Sequence, residues 1–212
     1  MAARTVSRTP IRDAFASQKL LMWLVCGTSF IWNAGGYVLL VYLPVFANTV
    51  LKVDLSLALA AAAIGSVVRA ILTPPIGALG DRIGRKLIIQ TMNVGFLVLV
   101  YPMFLWMKTD PGFTSVLCAS IISGVLMAMV AGAGPVMLTE LFPTRLRSTP
   151  IGIGYNISAA IFGGFAPFIC TYLVRLTGDA IAPTYFLLGC ALVSFLTVTR
   201  IRDRTKVPLD EL

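Results

Sequence analysis

Six apolar stretches dominate the chain, at roughly residues 20–45, 55–79, 87–107, 114–139, 151–174 and 183–200. Each is long enough to cross a bilayer as a helix, which takes about 20 mostly apolar residues. The expected fold is all-α: a polytopic membrane protein with six transmembrane helices. Composition points the same way. Only 12 % of the 212 residues are charged and 58 % are hydrophobic, whereas a soluble domain carries about 25 % charged residues. The first stretch is longer than the apolar core of a secretory signal, about 7–15 residues. Val45-Phe46-Ala47 faintly resembles a cleavage site, but five further spans follow, so the stretch reads as an anchor.

The charges lie between the spans. Arg4, Arg8, Arg12 and Lys19 precede the first; Arg82, Arg85 and Lys86 follow the second. Arg145 and Arg147 follow the fourth, and Arg200, Arg202, Arg204 and Lys206 follow the sixth. If the spans alternate, these thirteen of the 17 basic residues share one side, and Lys52, Lys108 and Arg175 lie on the other. Excess lysine and arginine marks the cytoplasmic face. The expected organisation is a cytoplasmic basic segment over 1–19, a six-helix bundle over 20–200 and a cytoplasmic tail over 201–212. The formal charge of +8 is then mainly a topology signal, and no nucleic-acid partner is expected.

The sequence holds no histidine, which removes Ser-His hydrolases, most zinc enzymes and histidine proton relays. Cys26, Cys118, Cys170 and Cys190 lie inside apolar runs and read as small buried side chains. No phosphate-binding G-x-x-x-x-G-K-[ST] loop occurs. Neither an enzyme nor a cofactor or metal site is expected.

The remaining basic residue, Arg69, falls near the middle of the second span, and no Asp or Glu lies mid-membrane. A central arginine costs about 2.5–3.5 kcal/mol on insertion scales. Three arrangements would compensate it. It can bond carbonyls freed by a helix break at Pro74-Pro75 or snorkel, it can face a central cavity and neutralise a substrate carboxylate bidentately, or it can pair with an acid outside this chain. Asn33, Gly36, Tyr37 and Leu40 share one face of the first span; Gly152, Asn156, Ala159 and Gly163 share one face of the fifth, with Tyr155 adjacent. The glycines and alanines, including Ala160 and Gly164, read as packing positions. Asn33, Tyr37, Tyr155 and Asn156 are equally candidates for lining a polar cavity and for interhelical hydrogen bonds. Prolines 102, 135 and 167 are expected to kink the third, fourth and fifth spans.

Between the second and third spans the sequence reads Gly77-Ala78-Leu79-Gly80-Asp81-Arg82-Ile83-Gly84-Arg85-Lys86. This resembles the G-x-L-x-D-R-x-G-R-K loop of the major facilitator superfamily. Glu140-Leu141-Phe142-Pro143-Thr144-Arg145-Leu146-Arg147, followed by Gly154-Tyr155-Asn156 and Gly163-Gly164, is similar to the region joining the tenth and eleventh helices of the metabolite:proton symporters. Pro10-Ile11-Arg12-Asp13 resembles the stretch before that family's seventh helix.

The resemblance implies the C-terminal six-helix half of a twelve-helix carrier that moves citrate, dicarboxylates, shikimate, proline or betaine with protons. Arg69, Asn33, Tyr37, Tyr155 and Asn156 would contact a small organic anion or zwitterion. Gly77, Asp81, Arg82, Gly84, Arg85 and Lys86 would form a cytoplasmic conformational latch, and Glu140, Arg145 and Arg147 a gating loop. The bland alternatives are a solvated turn and a capped loop. Proton carriers would lie in the other half, so a complementary half or self-association would complete the pathway in a bacterial inner membrane. A half-bundle with no transport of its own is the competing expectation.

Overall fold

In a computed structural model the described residues are 19–141 and 148–201. Six helices are long and apolar enough to span a membrane: α1 (Lys19–Thr49), α2 (Leu55–Ile83), α3 (Arg85–Thr109), α4 (Phe113–Glu140), α5 (Thr149–Thr177) and α6 (Ala182–Thr199). Each expected span is present and most extend a few residues further. The basic segments before Lys19 and after Ile201, and the loop carrying Arg145 and Arg147, lie outside the described residues.

Helix order and contacts reveal an inverted repeat. Helix α4 packs on α2 and α3 just as α1 packs on α5 and α6, and α3 meets α6. Exchanging α1–α3 with α4–α6 preserves these pairings. Each unit has three spans, so the second enters from the opposite side, the arrangement common in secondary transporters.

The α2–α4 seam is the tightest. A Cβ on Gly65 would lie 2.4 Å from the Ser120 carbonyl oxygen, and one on Gly124 would lie 2.3 Å from that of Gly65. Lower on the seam, a Cβ on Gly132 would meet the Thr73 carbonyl oxygen at 2.8 Å and the Gly77 nitrogen at 2.9 Å. Small residues here let two backbones touch, which is how helices associate without a hydrophobic drive between them.

Two local expectations change, at Pro74-Pro75 and at Gly152. Helix α2 runs unbroken through Pro74 and Pro75. Two amide donors are lost there, but a membrane helix tolerates this where neighbouring helices and hydroxyls support the backbone. The Thr73 hydroxyl donates to the Arg69 carbonyl at 2.8 Å. Gly80 stays helical, and the turn into α3 rests on Gly84 alone, whose φ of 107° suits glycine. Gly152 serves no packing role among the described residues, since a Cβ there would meet nothing within 4 Å.

The principal irregularities were not expected. Helix α1 opens into a π-helical segment at Gly36–Tyr42, and α5 does so at Ala159–Gly164, just before Pro167. Insertions of this type concentrate at functional sites.

Burial divides the helices into classes. In the apolar windows of α1 and α4, 67 % and 50 % of residues are buried, against 17 % in α2 and 22 % in α5. The central helices are thus covered within the bundle, while α2 and α5 present broad apolar faces outward, with Val67, Ile71, Phe165 and Phe168 exposed.

Candidate functional site

A cavity of about 650 Å³ opens between α1, α2, α4 and α5. Trp32, Asn33, Gly36, Tyr37, Leu40 and Val41 line it from α1, and Arg69 from α2. Helix α4 contributes Met127, Val130, Ala131, Pro135, Leu138 and Thr139, and α5 contributes Ile151 and Tyr155. The structure therefore brings Arg69, Asn33, Tyr37 and Tyr155 together around one space. Asn156 is not among the lining residues; its amide donates to the Gly152 carbonyl at 2.7 Å.

Arg69 is held by its backbone. A Cβ on Gly124 would lie 3.4 Å from the Arg69 nitrogen, so α4 abuts α2 at this level. Among the described residues the guanidinium makes no ion pair and no hydrogen bond, including none to the carbonyls ahead of Pro74-Pro75. Five donors in a planar fork are therefore presented from a wall that is otherwise mostly aliphatic and aromatic.

Asn33 has a double role. It lines the cavity, and its amide nitrogen donates to the Ser29 carbonyl at 3.0 Å and to the Ser158 hydroxyl at 3.2 Å. That second bond ties α1 to α5 immediately ahead of both π-helical segments. Tyr37 lies within the α1 segment, and a Cβ on Gly163 of the α5 segment would come 2.8 Å from its ring carbon Cε2. The two irregular segments thus cross at a glycine that leaves room for the tyrosine. Gly163 serves as the packing position that its helix face suggests, with Tyr37 as its partner. Trp32 is a lining residue that residue patterns do not single out, because one tryptophan in an apolar run resembles core.

At the basic end, Asp81, Arg85 and Glu140, drawn from the residues expected to form a latch and a gating loop, make one network, while Arg145 and Arg147 lie outside the described residues. Arg85 Nη2 contacts Asp81 Oδ1 at 2.6 Å across one helical turn, and Arg85 Nη1 pairs with Glu140 at the end of α4. Lys86 Nζ donates to the carbonyls of Thr199 at 3.1 Å and Ile201 at 2.6 Å, anchoring the end of α6. Arg82 is exposed, and Gly77 lies inside α2 against Gly132, where it serves the helix crossing. At the opposite end Lys108 pairs with Asp179 at 2.8 Å, joining the end of α3 to the α5–α6 loop. The five described carboxylates, Asp54, Asp81, Asp110, Glu140 and Asp179, all stand at helix ends or junctions.

A bundle of this topology, with irregular helices around a central cavity, defines a multi-pass membrane protein of the transporter class. The Major Facilitator Superfamily model matches residues 2–167 and also 54–211, and the chain belongs to that family. It is 32 % identical over 156 residues to a citrate-proton symporter of Salmonella typhi, covering 74 % of this chain and 36 % of that protein. It is 31 % identical over 180 residues to the ectoine/proline transporter ProP of Corynebacterium glutamicum, covering 84 % of this chain and 35 % of that protein. A citrate-proton symporter of Klebsiella pneumoniae is 30 % identical over 173 residues, covering 82 % and 39 %. The chain thus spans well under half the length of these relatives, all of which are transporters.

Proposed function

We propose that the chain is a six-helix half, the C-terminal one, of a secondary active transporter that carries a small organic acid or zwitterion in symport with protons. The observation that carries this reading is Arg69: a guanidinium with no partner among the described residues, in a cavity also lined by Asn33, Tyr37 and Tyr155. An intramembrane cation of this kind is a functional group by default, because its insertion cost must be offset by something it binds. The outward apolar faces of α2 and α5 are the surfaces on which a complementary six-helix half, or a second copy, would close the cavity. Rocking of the two bundles would then expose the site to each side in turn.

Proton coupling needs a titrating group in the pathway. The sequence has no histidine, and the described carboxylates stand at helix ends, so we assign the proton carrier to the complementary bundle. We assign both termini, the Arg85 network and the Arg145–Arg147 loop to the cytoplasm by the excess of basic residues there, and the membrane to a bacterial inner membrane by resemblance to the bacterial relatives. The network would lock that side against the partner bundle.

The test uses the purified chain in liposomes. It should bind labelled proline or citrate in an Arg69-dependent manner and should not accumulate either under an imposed pH gradient. Gradient-driven accumulation by this chain alone would overturn the half-transporter reading. Binding unaffected by Arg69→Gln would overturn the site.

A further inference from the structure

The donor inventory of the cavity wall restricts what the site can hold. Resting on the reading above, we propose that this half recognises a single carboxylate on a compact apolar or onium body, and does not accommodate a di- or tricarboxylate.

The polar groups on the wall are few, and most are already committed. Both amide protons of Asn33 are spent on the Ser29 carbonyl and the Ser158 hydroxyl. The Thr139 hydroxyl donates to the Val136 carbonyl at 2.7 Å. The Trp32 indole N–H has no partner among the described residues, but that nitrogen is itself fully buried. That leaves, as accessible donors, the guanidinium of Arg69 and the hydroxyls of Tyr37 and Tyr155, two tyrosines that are about two-fifths exposed.

One bidentate arginine with two hydroxyls satisfies the two oxygens of one carboxylate. A second carboxylate would face Leu40, Met127, Val130 and Leu138 with no accessible donor among the described residues, and an ionised group left unpaired in such a wall is strongly disfavoured. The same residues, with the Trp32 and Tyr rings, suit a ring or alkyl body, and aromatic faces also tolerate an alkylated ammonium.

The test is equilibrium binding to the full chain in lipid nanodiscs, with labelled proline as probe and four competitors: glycine betaine, pivalate, choline and citrate, at pH 7. Glycine betaine and pivalate should both displace proline. If only the betaine does, the body must be cationic; if both do, an apolar body suffices; either outcome upholds the single-carboxylate rule. Choline, lacking a carboxylate, should fail, and citrate should compete at least tenfold less well than betaine. Arg69→Gln should weaken proline binding on the order of tenfold or more, and Tyr37→Phe or Tyr155→Phe severalfold each.

Citrate displacing proline as well as betaine does, with Arg69 required for both, would overturn this inference and leave the proposed function standing. Binding of neither proline nor citrate, or binding of both independent of Arg69, would overturn both; Arg69-dependent binding of citrate without proline would overturn this inference alone. Trp fluorescence and the unfolding temperature of each variant establish that the bundle remains folded.

Discussion

Tyr37 rests directly on Gly163: the tyrosine ring occupies the space a β-carbon would take, with Cε2 only 2.8 Å from that position. Both residues belong to π-helical segments, one in α1 and one in α5. Gly163→Ala should therefore push the ring away or separate the helices. Overpacking of this kind costs about 1–3 kcal/mol. Thermal unfolding of the variant in nanodiscs should show the loss, and Tyr37→Ala in the same background should recover most of it. A lone Gly163→Ala with wild-type stability would mean that the crossing is loose.

Arg85 joins two acids that differ sharply in exposure. Its side chain is 16 % exposed, that of Glu140 10 %, and that of Asp81 61 %. Asp81→Asn should cost about 0.2–1 kcal/mol, as exposed helix pairs do. Arg85→Gln removes the charged bridge to Glu140, whose side chain is nearly covered, and should cost more than Asp81→Asn, on the order of 2 kcal/mol. Glu140→Gln in the Arg85→Gln background should restore part of that loss. A double-mutant cycle on denaturant unfolding measures the coupling, and equal effects of the Asp81 and Arg85 changes would contradict this ranking.

Acid should weaken the end opposite the Arg85 network. Bonds from the Ser56 hydroxyl and the backbone at the start of α2 hold the Asp54 carboxyl below its ordinary value near 3.8. Asp179 is lowered as well, by the hydrogen bond from Lys108 and one from the Ile181 backbone. Carboxyls depressed in the folded state stabilise it above their unfolded value. That contribution disappears as pH falls from about 3.8 through the lower folded values. Unfolding temperature should thus drop as pH falls below about 3.8, and less steeply in Asp54→Asn and Asp179→Asn. An identical acid slope in wild type and variants would remove these groups from the account.

Orientation follows from charge. With Cys26, Cys118, Cys170 and Cys190 replaced, single cysteines at Lys52, Lys108 and Arg82 report sidedness. An impermeant maleimide added outside intact cells should label the Lys52 and Lys108 positions and spare Arg82. The reverse pattern would invert the topology.

The sequence was legible where one-dimensional rules suffice. Span lengths follow from the bilayer, the Asp81–Arg85 pair from helical spacing, and the shared cavity of Asn33, Gly36, Tyr37 and Leu40 from one helical face. What stayed hidden depends on pairs remote in sequence. Gly65 against Ser120, and Gly163 under Tyr37, are determined by how two helices meet, and no local pattern encodes that. The union of Arg85 with Glu140 has the same origin. Pro74-Pro75 misleads in the other direction: the dipeptide signals a break in water, yet within the bundle α2 continues, supported by α4. Asn33 fits cavity lining and interhelical bonding equally by pattern, and it does both, because its amide on α1 reaches Ser158 while its own helix face borders the cavity.

The central claim is that Arg69 offers its guanidinium to a substrate carboxylate. Its most direct measurement is the dissociation constant of labelled proline for wild type, Arg69→Lys and Arg69→Gln in folded, nanodisc-embedded protein. Lysine keeps the charge but loses the planar fork, so it should weaken binding, and glutamine should weaken it further, on the order of tenfold or more relative to wild type. Wild-type affinity in a well-folded Arg69→Gln chain would contradict the account.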